Sequence, residues 1–393
     1  VCVYHDALYV FYMLFAIVSV VLASIERRAS RHRKKVKRKI KKGEIILIFL
    51  IITLSIIGFW DSWLNKTIKK EIKYEELFWD IACDEKYVYI VGKCFLFKLD
   101  SNGELIWKKI LFRESCGEVT LVDFWHRRSY VKICNNFIYV CSRSSSGICI
   151  IKCDSSGEVL WKKRLVLIYS PSLYDVHVDE KYIYIVGGIY GGLFGDNLLI
   201  VKYDTKGNLI WIRIYYGIEP CYRIRVYNNY IYVAGGRRLI KLDNNGNIIW
   251  IKYLFSNAWI LNLEIYDDLI YIILNYRLGS IIAKCDLNGN LLEYKLIKDV
   301  FAHSAKFYGD YLYILENKKK KVIVSKVNVK TANIIWRVTW STWDNAHGVK
   351  IDVNAACNRI YVIGWIELES LSLIHISEPT RPLYISYAVF CLK

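Results

Sequence analysis

Beyond residue 64 the chain alternates apolar and polar positions in short runs, and the three-and-four spacing of an amphipathic helix is missing. Seven runs share one form, an apolar strand with Tyr in third place: "YVYIVG", "FIYVCS", "YIYIVG", "YIYVAG", "LIYIIL", "YLYILE" and "RIYVIG". Their tyrosines are Tyr89, Tyr139, Tyr184, Tyr232, Tyr271, Tyr313 and Tyr361, spaced 50, 45, 48, 39, 42 and 48 residues apart. Before each lies an alternating run such as "YDVHVDE" or "YRIRVYN". A polar pair joins the two (Glu-Lys, Asn-Asn, Asp-Asp or Gly-Asp), which is tight-hairpin chemistry. A variable loop follows, then a third strand ending in Lys-x-Asp, a DxxG turn, and a fourth strand that carries Trp. Four short strands per period of about 40–45 residues predict an all-β fold, a β-propeller built from four-stranded blades.

The turn recurs as "KLDSNGELIW" (98–107), "KCDSSGEVLW" (152–161), "KYDTKGNLIW" (202–211) and "KLDNNGNIIW" (241–250). Unit five reads "KCDLNGNLLE", with Glu293 in the Trp place. Unit six has Asn328 for Asp and Ala332 for Gly, yet keeps Trp336. An Asp side chain bonds backbone N–H groups two residues on, and Gly supplies φ > 0. The motif is therefore expected to close the hairpin between third and fourth strands and to wedge its Trp between blades. A catalytic role for a motif present once per blade is not expected. These residues resemble the extracellular β-propeller repeat known as SBBP and the PQQ-like propeller repeats. The resemblance covers about 77–370 and implies the fold rather than the function.

Seven units are visible, and the seventh stops after its second strand, so seven or eight blades are expected in the full protein. "NKTIKKEIKY" (65–74) is a candidate for the strand that completes the last blade. The segment "LSLIHISEPTRPLYISYAVFCLK" (371–393) breaks the pattern and holds two of the four prolines. It resembles the translation of a transposase-type sequencing adaptor and is excluded from the fold reading as non-native. The domain division is thus 65–370 for the propeller and 371–393 for a tail, with a truncated natural chain expected to run past Ser370.

The N-terminal pattern differs. Residues 7–24 are eighteen without a charge, and 45–60 are sixteen more. A spanning helix needs about 20 apolar residues, with about 17 near the lower limit. Between the two runs, 26–44 hold eleven Lys or Arg against two Glu, half of the chain's net +18. A basic run between apolar spans marks the cytoplasmic side. The expectation is one or two transmembrane helices (1–25, which is not necessarily the native start, and 45–64) with a cytoplasmic loop between them. The propeller then lies outside the cytoplasm, at the cell membrane. Nucleic acid is not an expected partner. The chain is 54% hydrophobic and 15% aromatic, with one Met, Met13, and no Gln. Scarce thermolabile residues suggest a hyperthermophilic, archaeal source.

Candidate chemistry lies where the units differ. First strands of a propeller line its channel. Aligning the units puts Asp80, Tyr130, Asp175, Arg223, Asn262, Ser304 and Gly348 at one position. Trp79, Ser129, Tyr174, Tyr222, Leu261, His303 and His347 fall one place earlier. Asp80, Asp175, Arg223, His303 and His347 are the candidate ligand-binding residues, a polar ring at one channel mouth that suits a small ligand or a metal. The competing reading is a solvated rim. No triad, carboxylate pair or metal motif stands out, so no catalytic residue, resident metal or cofactor is assigned. Ten cysteines lie in 77–370 without CxxC spacing; Cys141 and Cys149 flank one loop and are a candidate disulfide, and the others are expected to be buried thiols. The function expected is a membrane-anchored binding or scaffold module for an envelope protein, a glycan or a small ligand. The alternative is a quinoprotein-like oxidoreductase. Its family resemblance implies adjacent cysteines and an acidic calcium site, and neither is seen in the sequence.

Overall fold

The computed structural model describes residues 68–74, 78–92, 94–112, 129–144, 147–167, 171–189, 196–256, 258–341, 345–354, 359–367 and 386–392. These residues form strands and no helix. None of their segments is a helix long and apolar enough to cross a membrane; the two apolar runs and the basic loop lie outside the described residues.

Six sheets are four-stranded antiparallel meanders in chain order: blades 1 (78–110), 2 (129–165), 3 (171–215), 4 (223–253), 5 (259–298) and 6 (304–341). Blade 7 takes only two strands from its own repeat, Asn345–Asn354 and Arg359–Glu367. Its third place is filled by Ser386–Leu392 of the tail, and its outermost place by Ile68–Tyr74. The candidate closing strand thus lies at the outer edge of the last blade, of whose own repeat only two strands are present.

The blades bury themselves against one another. Seven hydrophobic clusters lie among the described residues, each made by two neighbouring blades. The cluster between blades 7 and 1 joins Phe78, Ile90 and Phe97 to Tyr361 and Ile363. That contact, together with those between blades 1–2, 2–3, 3–4, 4–5, 5–6 and 6–7, makes a closed ring. Period-2 alternation serves this directly, because each middle strand is covered on both faces. The central tyrosines Tyr89, Tyr184, Tyr232 and Tyr361 are almost wholly buried.

Local turn chemistry builds each blade. Between first and second strands, Asn135-Asn136, Asn228-Asn229 and Asp267-Asp268 all have positive φ, the conformation of a two-residue hairpin turn that Asn and Asp tolerate best. In the recurring turn the Asp Oδ1 accepts two backbone N–H groups, as Asp204 does from Lys206 (2.9 Å) and Asn208 (2.8 Å). Gly207, at φ +88, closes a bulged hairpin there.

Between blades, this turn meets the preceding blade. A Cβ on Gly289 would lie 2.7 Å from Trp250 Cη2, and one on Gly157 2.8 Å from Trp107 Cη2. Trp161 and Trp211 stand against Gly207 and Gly246 in the same way. The indole N–H groups of Trp161 and Trp211 donate to the carbonyls of Thr205 (3.3 Å) and Asn244 (3.2 Å) in the next turn. The wedge expected of the motif is thus present.

The lysine of Lys-x-Asp has a role that its charge conceals. Lys202 is 2% exposed. Its ammonium lies 3.8 Å from the Tyr182 ring centroid and donates to the Asn244 carbonyl at 3.3 Å. Lys98, Lys152 and Lys241 repeat the arrangement, reaching Ser155 (2.8 Å), Thr205 (3.3 Å) and Leu287 (3.2 Å). At the ring closure Arg359 and the Tyr361 hydroxyl (2.7 Å) both donate to the Ser101 carbonyl. In every case the acceptor is the residue just after the turn's Asp.

Candidate functional site

The first strands of the seven blades surround the channel. Four of them carry an extra bulged residue, Trp79, Tyr174, Leu261 or Val349, just before the channel position. Asp80, Asp175, Arg223, Asn262 and Ser304 all pair with the fifth residue of their Tyr strand, as the alignment expects. Blade 7 corrects it: Val349 is bulged, so Lys350, not Gly348, pairs with Ile363 and takes the ring position. Gly348 pairs with Gly364, the sixth residue of the Tyr strand, and the bulge inserts one more residue before the fifth is met. Gly348 is held instead by Asn317, which both donates to its carbonyl and accepts its N–H at 2.8 Å.

Two of the candidate acids join neighbouring blades. Asp80, 0% exposed, accepts the Val131 N–H of blade 2 at 3.1 Å, and Asp175, 3% exposed, accepts the Ile224 N–H of blade 4 at 3.2 Å. Asp352 closes the circle by accepting the Cys83 N–H of blade 1 at 2.9 Å. Each carboxylate also meets a cation: Asp80 with Lys132 (3.3 Å), Asp175 with Arg225 (2.9 Å), Asp352 with Lys306 (3.1 Å). Arg225 reaches Glu264 as well, at 3.3 Å.

Lys132, Arg225, Glu264, Lys306 and Asp352 form a second channel layer, two residues beyond the first and so on the same strand face. The sequence reading stops at one position per blade and misses them, although the same period-2 rule picks them out. Together the layers border a cavity of about 180 Å³ lined by Lys132, Asp175, Arg223, Arg225, Asn262, Lys306, Lys350 and Asp352, among others.

The electrostatics follow from this crowding. Burial opposes the charge of Asp175, yet Arg225, and then Lys132, Arg223 and Lys350, hold its carboxyl well below the usual range. Burial pushes His177 down to about 3, aided by Arg225 and Lys132 and opposed by Asp175, so it is neutral at pH 7. Burial also lowers Lys350 to about 8; Arg223 and Lys132 add to this, while Asp80 and Asp175 oppose it.

The five candidate residues are therefore divided. Asp80, Asp175 and Arg223 share the inner channel layer. His303 is exposed and His347 half-buried; neither lines the cavity, and both lie on the mouth side of their strands. Tyr174 and Tyr222 pack edge to face at that mouth, with ring centroids 4.9 Å apart. Among the described residues no group of three or more His, Cys, Asp or Glu could hold a metal ion.

The cysteines bring two corrections. Cys141 and Cys149 are not disulfide-bonded to each other. Cys149 pairs with Ser142, one residue out of step with Cys141. The offset sends them to opposite faces of blade 2, Cys141 toward blade 3 and Cys149 toward blade 1. Cys94, expected to be a thiol, is disulfide-bonded.

These features define the chain as a β-propeller. No family model matches it, and no curated protein does. Among solved structures it resembles the AfRom2 CNH domain at TM-score 0.50 and 8% identity, over 83% of this chain and 98% of that one. The Neurospora crassa Pan2 WD40 domain is similar at TM-score 0.49 and 12% identity, over 80% and 89%. Identities this low speak to fold alone.

Proposed function

We propose that this is a membrane-tethered propeller held outside the cytoplasm, and that it works as a binding module whose contact surface is the channel mouth. The observation that carries the reading is a contrast between two layers of one scaffold. The turn, Trp and Lys positions repeat from blade to blade, whereas the seven mouth positions, Trp79, Ser129, Tyr174, Tyr222, Leu261, His303 and, in the corrected register, Val349, hold six residue types. Repetition serves the ring; individuality serves recognition. Aromatic rings beside polar groups suit stacking on sugars and anchoring of protein partners. An envelope glycan or envelope protein is the partner this chemistry fits. Two apolar runs flanking eleven basic residues support the tether and the orientation. The Lys-x-Asp-x-x-Gly turn supports an SBBP-like origin.

The test uses photo-crosslinking from intact cells. A crosslinker at Tyr222 should capture an envelope component, while one at Asn245, on the opposite face, should not. Equal capture from both faces, or from neither, would overturn the assignment of the mouth. Protease added outside intact cells should cut the propeller, and full protection would overturn the orientation.

A further inference from the structure

The channel carries more positive charge than its own carboxylates neutralise. Three cations have close acidic partners: Lys132 with Asp80, Arg225 with Asp175 and Glu264, and Lys306 with Asp352. Two are less well matched. Among the described residues the Arg223 guanidinium makes no ion pair and donates to the carbonyl of its neighbour Tyr222, at 2.7 Å. Lys350 makes only a long ion pair, 3.9 Å from Oδ1 of the Asp80 that Lys132 already meets, and that oxygen has no hydrogen-bond partner. Five cations therefore face four carboxylates across the two layers, and His177 is neutral. Arg223 and Lys350 come from blades 4 and 7, nearly opposite each other in a ring of seven. Both line the cavity of about 180 Å³. Drug-sized ligands fill roughly 300–1,000 Å³, so this space suits only a few heavy atoms. A guanidinium fork is shaped for the paired oxygens of a carboxylate or phosphate.

We propose that the channel binds one small oxyanion, of phosphate or dicarboxylate size, bridged between Arg223 and Lys350. The bound charge would neutralise the cation in excess, shared between Arg223 and the weakly paired Lys350, and would join blades 4 and 7 across the axis. Burial and the neighbouring cations already push the Lys350 ammonium down to about 8, a sign of the same charge imbalance. The site is separate from the partner surface at the mouth, so either can fail without the other.

The experiment is calorimetric titration of the full chain in detergent with inorganic phosphate and, separately, with malonate, each against chloride of equal ionic strength. Saturable binding of phosphate or malonate, absent with chloride, is expected; which of the two binds identifies the oxyanion. Arg223→Gln and Lys350→Gln should each weaken it by about tenfold or more. Arg213→Gln, an exposed cation outside the channel, should leave it unchanged. If the channel variants do not fold, the parent protein still decides the matter. Lys350 should be acetylated by an amine-reactive ester near pH 8, and the anion that binds should protect it, as read by mass spectrometry. No saturable binding by either probe, binding in both channel variants as tight as in the parent, or no protection of Lys350 would overturn the proposal.

Discussion

The indole of Trp250 occupies the space that a Cβ on Gly289 would need, with 2.7 Å between them. The same relationship links Trp107 to Gly157, whereas at Gly207 and Gly246 Lys163 and Arg213 are the nearest side chains and Trp161 and Trp211 stand at 3.2 and 3.3 Å. It explains the one place where both residues change. Blade 5 has Glu293 instead of Trp, and the turn facing it in blade 6 has Ala332 instead of Gly. With the indole gone, a methyl group fits, and Ala332 adopts φ +58. Glu293 pairs with Lys295 of its own strand at 2.8 Å instead.

Gly289→Ala should therefore cost more than left-handed strain alone, which is about 1–2 kcal/mol for Ala. Ala332→Gly should stabilise the fold by about 0.5–1 kcal/mol through relief of that strain. A double-mutant cycle of Gly289→Ala with Trp250→Ala, followed by chemical denaturation, checks the cause. Coupling near zero would show that the indole is not what demands the glycine.

Lys202→Met should destabilise the ring by about 2 kcal/mol, since it removes a charge-assisted hydrogen bond and a cation–π contact together. Hydrogen exchange should show increased opening on both sides of the junction between blades 3 and 4. A change confined to exposed amides of the turn would mean that the lysine is merely solvated.

Asp80→Asn should cost about 2 kcal/mol, because it leaves the half-buried Lys132 and Lys350 without their carboxylate. His303→Ala, at an exposed site, should change stability by about 0.5 kcal/mol or less. Thermal melts of the two variants separate a channel residue that holds blades together from one at the mouth. Similar losses in both would contradict the division.

Acid should unfold this protein through His177. Its folded pKa of about 3 lies below the unfolded value of 6.5, so unfolding takes up a proton throughout that window. Stability then falls as pH drops below about 6.5, by at most ~1.4 kcal/mol per unit from this residue. Asp175, held low in the folded state, adds its loss only below about 3.8. Urea midpoints between about pH 7 and pH 4 should show a flatter acid limb in His177→Gln than in the parent. Parallel limbs would rule out His177 as the source.

The fold was legible in the sequence because its signals are local. Asp204 with Gly207, or Asn228 with Asn229, names a turn within a few residues. The channel was legible in part. The bulged residues in blades 1, 3 and 5 lie before the channel position, so a count back from the Tyr strand aligns Asp80, Asp175 and Asn262 in spite of them. In blade 7 a longer turn puts Lys350 eleven residues before Tyr361 (361 − 350) instead of nine, so that count fails and Lys350 was missed. Lys202 was opaque for another reason. A lysine beside a polar turn reads as solvated, and its partners Tyr182 and Asn244 are 20 and 42 residues away. Nothing in the spacing of Cys141 and Cys149 showed that the register would separate them by a whole sheet.

The bond from Lys to the next turn's carbonyl has a consequence for how such a molecule can arise. Its polarity never reverses: the hook sits on the earlier unit and the eye on the later one, and Arg359 and Tyr361 keep that sense when they reach back to Ser101. Each unit is therefore complementary to copies of itself. Tandem duplication of one coding segment can lengthen the row with no new interface to be invented, and circumference becomes a matter of how far each unit turns from the last.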